Sequence, residues 1–220
     1  MVWIVIPAYN EANKIGRVLR DLFTHGFDKI IVVDDGSRDN TAELAQKEGA
    51  LVLRHKINRG QGAALQTGNE YALKNNADII VHSDADGQFD PADIAPAIEF
   101  LQKNNLDAVL GSRFLDTRSQ IPFLKKYFIL PISRLINNLI TRAKLTDVHN
   151  GFRILNNHAL QKIKITHNGM AHNTEIVKQL VNCNLKFAEF PVKVTYYEYG
   201  QGIGGGIKII RDWITGFFTK

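Results

Sequence analysis

Ile79-Ile80-Val81-His82-Ser83-Asp84-Ala85-Asp86-Gly87-Gln88 is an apolar run that stops abruptly at two carboxylates and a glycine. The run reads as a strand buried on both faces, as in a parallel sheet, where alternation is not required. In an open α/β sheet the ligand crevice lies beyond the carboxyl ends of such strands. Asp84 and Asp86, one residue apart at that end, offer oxygen ligands to a hard divalent cation. Mg²⁺ or Mn²⁺ suits them, since both ions commonly bridge to substrate phosphates. Asp-Ala-Asp alone also suits a solvated acidic turn, so the rest of the chain has to decide.

Outward from this stretch the same pattern repeats. Trp3 to Ile6, Ile30 to Val33, Leu51 to Leu53 and Ala108 to Gly111 read as further strands. Between them, Ile15, Val18, Leu19 and Leu22 fall at helical spacing, and Asp39-Asn40-Thr41 caps a helix running through Gln46. Asn58-Arg59-Gly60-Gln61-Gly62 leads into a helix to about Leu73, and Pro91 opens one that runs to Lys103. Strands alternating with helices predict an α/β fold: one open, mostly parallel sheet with helices on both faces. Right-handed crossovers then bring Pro7, Asp34 and Asp84 to one edge. Three polar clusters on one edge predict a site.

The chain has 220 residues, 45% of them hydrophobic and 22% charged, which predicts one folded domain. Residues 1–115 form the ligand-binding half, and 116–220 complete the domain. A net charge of +5 and a pI near 9.3 favour an anionic partner. The single Cys183 excludes an internal disulfide and fits a reducing compartment. No leader pattern and no run of about 18 apolar residues is present, so a cytoplasmic location is expected. No nucleic-acid-binding motif is found.

Residues 121–145 differ in character. Lysines interrupt an apolar stretch up to Pro131, and Leu135, Ile136, Leu139 and Ile140 then share one face of a helix from Ser133 to Leu145. This basic amphipathic pair suits either a bilayer interface or the sheet surface. Phe187 to Val194 reads as a strand in which Pro191 marks an edge or bulge. A glycine-rich loop spans 196–206, and Ile207 to Phe218 reads as an amphipathic helix.

Pro7-Ala8-Tyr9-Asn10-Glu11, Val33-Asp34-Asp35-Gly36-Ser37, Asn58-Arg59-Gly60 and Asp84-Ala85-Asp86-Gly87-Gln88, in this order, resemble the family 2 glycosyltransferases. Gly111-Ser112-Arg113-Phe114, Asp147 with Gly151-Phe152-Arg153, Glu175 and Glu189-Phe190-Pro191 are similar to the polyprenyl-phosphate sugar synthase branch. The resemblance implies a GT-A fold and an inverting, metal-dependent transfer from a UDP- or GDP-sugar. It implies that Pro7, Tyr9, Glu11 and Val33 wall the base and ribose, with Asp34 or Asp35 accepting from a base N–H. Asp84, beside Ala85, would contact the nucleotide, and Asp86 would hold the metal with Gln88 as a further ligand. Arg113 would pair with phosphates.

On the acceptor side stand Ser112, Arg134, Arg153 and Tyr197. Asp147 is expected to orient the acceptor, to serve as general base if the acceptor is a hydroxyl, or to act structurally through Arg153. Where the branch carries Arg, Gly, Ser and Lys after the Glu-Phe-Pro motif, this chain has Tyr197, Gly200, Gly202 and Ile203. The acceptor therefore stays open between a polyprenyl phosphate and a glycolipid at the inner membrane face, with peripheral membrane contact. The alternatives are a soluble saccharide acceptor, or a non-catalytic binding protein on the same fold.

Overall fold

The computed structural model of the chain describes residues 1–119, 138, 141–148 and 150–196. In chain order it comprises β1 (Val2–Ala8), α1 (Ile15–Thr24), β2 (Ile30–Asp34), α2 (Thr41–Lys47), β3 (Leu51–Arg54), α3 (Gln61–Lys74) and β4 (Ile79–His82). A 3₁₀ turn, Pro91–Asp93, precedes α4 (Ile94–Lys103). Then follow β5 (Ala108–Ser112), β6 (Arg153–Asn156), α5 (Asn157–Lys162), α6 (His172–Asn182) and β7 (Phe187–Pro191).

One seven-stranded sheet runs in the order β3-β2-β1-β4-β6-β5-β7. All neighbours are parallel except β6, which is antiparallel to both β4 and β5. Successive side chains alternate between two cores. Trp3, Val5, Val33, Ile80 and Leu110 face α3, α5 and α6. Ile4, Ile6, Val32, Val81 and Val109 face α1, α2 and α4. Covering both faces explains the unbroken apolar runs of the central strands.

After β1 the chain winds outward through β2 to β3, then returns to place β4 on the other side of β1. That reversal is the topological switch point, where an open α/β sheet has its crevice. It sets the carboxyl end of β1, with Pro7 and Tyr9, beside that of β4, with Asp84 and Asp86. Helix α3 lies unusually close to the sheet. A Cβ at Gly68 would come within 2.3 Å of Val5 Cγ1, so a small residue is required where the helix crosses β1.

Two expectations need adjusting. The helix expected to run to Leu145 does not: Arg142 has φ +58°, and residues 142–145 are irregular. A left-handed residue ends a helix by turning its carbonyls out of the ladder. The strand expected from Phe187 to Val194 ends at Pro191, on the sheet edge as the proline required. Beyond it, Val194 makes an isolated bridge to Phe89. Most of the basic pair 121–140, including Arg134, lies outside the described residues, as do Tyr197, the rest of the glycine-rich loop and the 207–218 segment.

Candidate active site

The loops after β1 and β2 are joined by side chains of the two motifs themselves. Asn10 N donates to Ser37 Oγ (2.9 Å), and Arg38 N donates back to Asn10 Oδ1 (2.9 Å). Glu11 N donates to Thr41 Oγ1 (2.8 Å) and Ala12 N to Asp39 Oδ2 (3.2 Å). The capping of α2 is done by Asp39, whose Oδ1 accepts from Thr41 N (3.1 Å). Asn10 takes φ +55° to make this corner. Tyr9 projects from it, 41% exposed, while Pro7 and Ala8 are buried. Glu11 is half-buried and pairs with Lys14 at 3.1 Å.

Asp34 and Asp35 are both buried and have separate partners. Asp34 Oδ1 accepts from Ser37 N (3.2 Å), and Arg54 Nε lies 3.0 Å from Oδ2 as an ion pair without hydrogen-bond alignment. Asp35 is spent on the next loop: Arg59 N (2.9 Å) and Gly60 N (2.6 Å) donate to it, and His55 Nδ1 lies 2.7 Å from its Oδ1. These bonds shape the turn into α3. Val33 points into the core against Gly68; only its backbone reaches the sheet edge.

Helix α3 starts beneath β4 and carries Gln61, whose Nε2 donates to Asp84 Oδ1 (3.0 Å). Asp86 Oδ1 accepts from Gln88 N (2.9 Å), closing a tight turn through Gly87 at φ +74°. Gln88 O in turn accepts from Thr195 N (2.9 Å). Burial and the neighbouring Asp86 push the Asp84 carboxyl up to about 7, against the opposing pull of Arg153 and Gln61. Asp86 is also raised, chiefly by burial.

Two neighbouring carboxylates that both resist ionising leave the carboxyl end of β4 in need of positive charge. Among the described residues, no group of three His, Cys, Asp or Glu side chains could hold an ion unaided. The donor set therefore fits Mg²⁺ or Mn²⁺ arriving with phosphate and water oxygens, as these ions commonly do, better than an all-protein cage.

Asp147 is held by Arg113, which follows β5, and not by Arg153. Arg113 Nε donates to Oδ2 and Nη2 to Oδ1, each at 2.6 Å, and the Arg113 backbone N adds a bond of 3.1 Å to Oδ2. Arg113 Nη1 donates to Tyr196 Oη (2.6 Å). Burial works against the Arg113 charge, but the bonds to Asp147 and Tyr196 outweigh it and raise its pKa. Glu189 fixes the chain before Asp147, accepting from Thr146 N (2.8 Å) and Asp147 N (2.9 Å). Ser112 is buried and bonded to Thr146 Oγ1 (2.7 Å). Arg153 is 2% exposed and reaches no surface.

The sheet edge thus gathers Pro7, Tyr9, Glu11, Asp34, Asp84, Ala85, Asp86 and Gln88. Arg113 and Asp147 form a pair beside them, and Ser112 and Arg153 lie beneath. Sequence reasoning missed Gln61, although the loop of glycines around it pointed to a close approach. It also gave Glu189 no task, because its partners lie more than forty residues away.

The family model for Glycosyl transferase family 2 matches residues 3–164. An uncharacterised protein of Methanocaldococcus jannaschii is 34% identical over 98% of this chain and 88% of its own length. The UDP-N-acetylglucosamine–dolichyl-phosphate N-acetylglucosaminyltransferase of Methanococcus voltae is 31% identical, over 95% of this chain and 91% of its own. Among solved structures, glucosyl-3-phosphoglycerate synthase from Mycobacterium tuberculosis, in complex with Mn²⁺, UDP and glucosyl-3-phosphoglycerate, superposes with a TM-score of 0.75. It does so at 17% identity, over 97% of this chain and 77% of that one.

Proposed function

The chain belongs to glycosyl transferase family 2 and has the GT-A fold, and from that premise we propose that it moves a sugar, with inversion, from a UDP- or GDP-sugar to a membrane lipid phosphate. The observation that carries this reading is the carboxyl end of β4, beside that of β1, where Asp84 and Asp86 stand together, Gln61 holds Asp84, and both carboxyls are raised by burial. Such a pair is suited to a metal–diphosphate. Asp86 and Gln88 would hold Mg²⁺ or Mn²⁺, which when bound supplies Lewis acidity against charge building on the leaving nucleoside diphosphate. Asp84, oriented by Gln61, would face the nucleotide. Pro7, Tyr9 and Glu11 would border the base and ribose, with Asp34 behind them.

The bonding of Asp147 supports a phosphate as the acceptor. An inverting displacement onto a hydroxyl requires a general base, whereas a phosphate is already ionised. Both oxygens of Asp147 are engaged by Arg113, which suits a positioning role and not proton abstraction. The relative from Methanococcus voltae, named for a dolichyl-phosphate acceptor, supports the same class. A lipid acceptor implies peripheral contact with the bilayer at the cytoplasmic face. Among the described residues no helix is long and apolar enough to cross a membrane.

The test is a calorimetric and thermal-shift panel of UDP, GDP, CDP and dTDP, each with Mn²⁺, Mg²⁺ or EDTA. Stabilisation by UDP or GDP that requires metal and disappears in Asp86→Ala is the expected result. If no nucleotide stabilises the protein under any condition, the reading is overturned.

A further inference from the structure

Among the described residues, six large hydrophobic side chains are exposed: Met1, Tyr9, Leu51, Ile57, Leu115 and Met170. They divide by sheet edge. Met1 and Leu51 stand at the amino ends of β1 and β3. Tyr9, Ile57 and Leu115 follow the carboxyl ends of β1, β3 and β5, and Met170 lies just before α6. Tyr9 borders the proposed nucleotide site. Ile57 and Met170, the two most exposed at 70% and 60%, have no task in the transfer itself.

Their loops form one ridge. Gly62 N donates to Asn168 O (2.8 Å), and a Cβ at Gly60 would meet Asn168 O at 2.3 Å and Gly169 N at 3.4 Å. On the other side, a Cβ at Gly36 would fall 2.8 Å from the carbonyl carbon of Ile57. The loops after β2 and β3 and the loop before α6 thus sit backbone against backbone. Their crest faces outward: residues 56–59 and 166–171 are exposed throughout, and a methyl at Gly169 would meet nothing within 4 Å.

The charge of this ridge has one sign. Lys56 and Arg59 flank Ile57, and neither 55–60 nor 166–171 contains an Asp or Glu. The ridge also adjoins the site, since Gln61, two residues beyond Arg59, reaches Asp84. Single exposed hydrophobics are ordinary on protein surfaces. Two on touching loops, set among cations beside a site read as taking a lipid phosphate, match an anionic bilayer. The apolar side chains suit the headgroup–acyl boundary, and the cations suit the lipid phosphates above it.

We propose that Ile57 and Met170, with Lys56 and Arg59 around them, form the surface by which this protein rests on a membrane carrying anionic phospholipid. The inference rests on the reading of the acceptor as a membrane lipid phosphate, and adds which face meets the bilayer.

The test is co-sedimentation of the full chain with vesicles of phosphatidylcholine alone, or of equal parts phosphatidylcholine and phosphatidylglycerol. Wild type is expected to bind the mixed vesicles, and the neutral ones more weakly. Ile57→Gln/Met170→Gln should lower partition onto mixed vesicles at least about tenfold. Lys56→Gln should lower it about fivefold, an effect absent on neutral vesicles. Leu51→Gln, at the opposite sheet edge, should bind as wild type does. Equal binding by wild type and the double variant overturns the proposal, as does a wild type that binds neither vesicle. A lower melting temperature in the double variant also overturns it, because the two side chains would then be packing against the chain itself.

Transfer assays separate this from the parent reading. With Mn²⁺ and the nucleotide sugar identified by the panel above, the double variant should match wild-type kcat on a short polyprenyl phosphate in detergent. On a long polyprenyl phosphate embedded in mixed vesicles it should be at least about fivefold slower. Equal rates on vesicles, or a loss on both acceptors, overturn the proposal. A wild type that neither binds nucleotide with metal nor transfers sugar overturns the parent reading. An active wild type whose vesicle binding ignores Ile57 and Met170 overturns only the assignment of the bilayer face.

Discussion

Asp84 shows what a functional residue costs its own fold. Its carboxyl has a pKa of about 7 in the folded chain against an ordinary 3.8. The folded state therefore binds the extra proton between those limits, and stability falls as pH rises through 3.8 to 7. Asp84→Asn removes that cost. It is expected to stabilise the EDTA-treated protein at pH 8 by on the order of 3 kcal/mol and to change little at pH 4, while abolishing turnover. Thermal melts at both pH values check this; equal gains at the two would show that burial of the charge is not the cause. The identity of Asp84 and Asp86 was legible in sequence because acid follows an apolar run directly. Their partners were not: Gln61, Gly151 and Arg153 come from two other segments, and nothing local marks them as neighbours.

At the scale of elements, the docking of α3 against the α5–α6 connection carries Gln61 to Asp84. Gly60 takes φ +99°, Gly62 N donates to Asn168 O (2.8 Å), and a Cβ at Gly62 would lie 2.0 Å from His167 O. Glu175 fixes the opposing loop by accepting from Thr166 N (3.0 Å) and His167 N (3.0 Å). Gly62→Ala must push these backbones apart. A destabilisation of about 1–3 kcal/mol is expected, with a kcat loss beyond what the fraction folded explains, because Gln61 moves. Gly169→Ala is the control: an added methyl there meets nothing within 4 Å, and its melting temperature and kcat should match wild type. Most elements could be read from periodicity alone, with ends shifted by a residue or two. Residues 142–145 could not, since an apolar spacing says nothing of the left-handed turn at Arg142.

At the scale of the whole molecule, the arrangement favours an acceptor that brings its own charge. A polyprenyl phosphate should accept sugar, whereas the polyprenol of equal length should not, because Asp147 is spent on Arg113. Product analysis by mass spectrometry with both acceptors decides; transfer to the alcohol would require a base that this reading does not supply. The sequence by itself determined the α/β class, the strand ends that meet at one edge, and the family, because hydrophobic period and strand-end motifs are local properties. Only the tertiary structure decided how those residues are employed. It spent Asp35 on the turn into α3, turned Val33 into the core, and joined Arg113 to Asp147 from 34 residues away. It also buried Arg153 on a strand antiparallel to its neighbours. Hydrogen bonds and charge–charge forces depend on distance in space, and the order of strands in the sheet, which no single segment encodes, sets those distances.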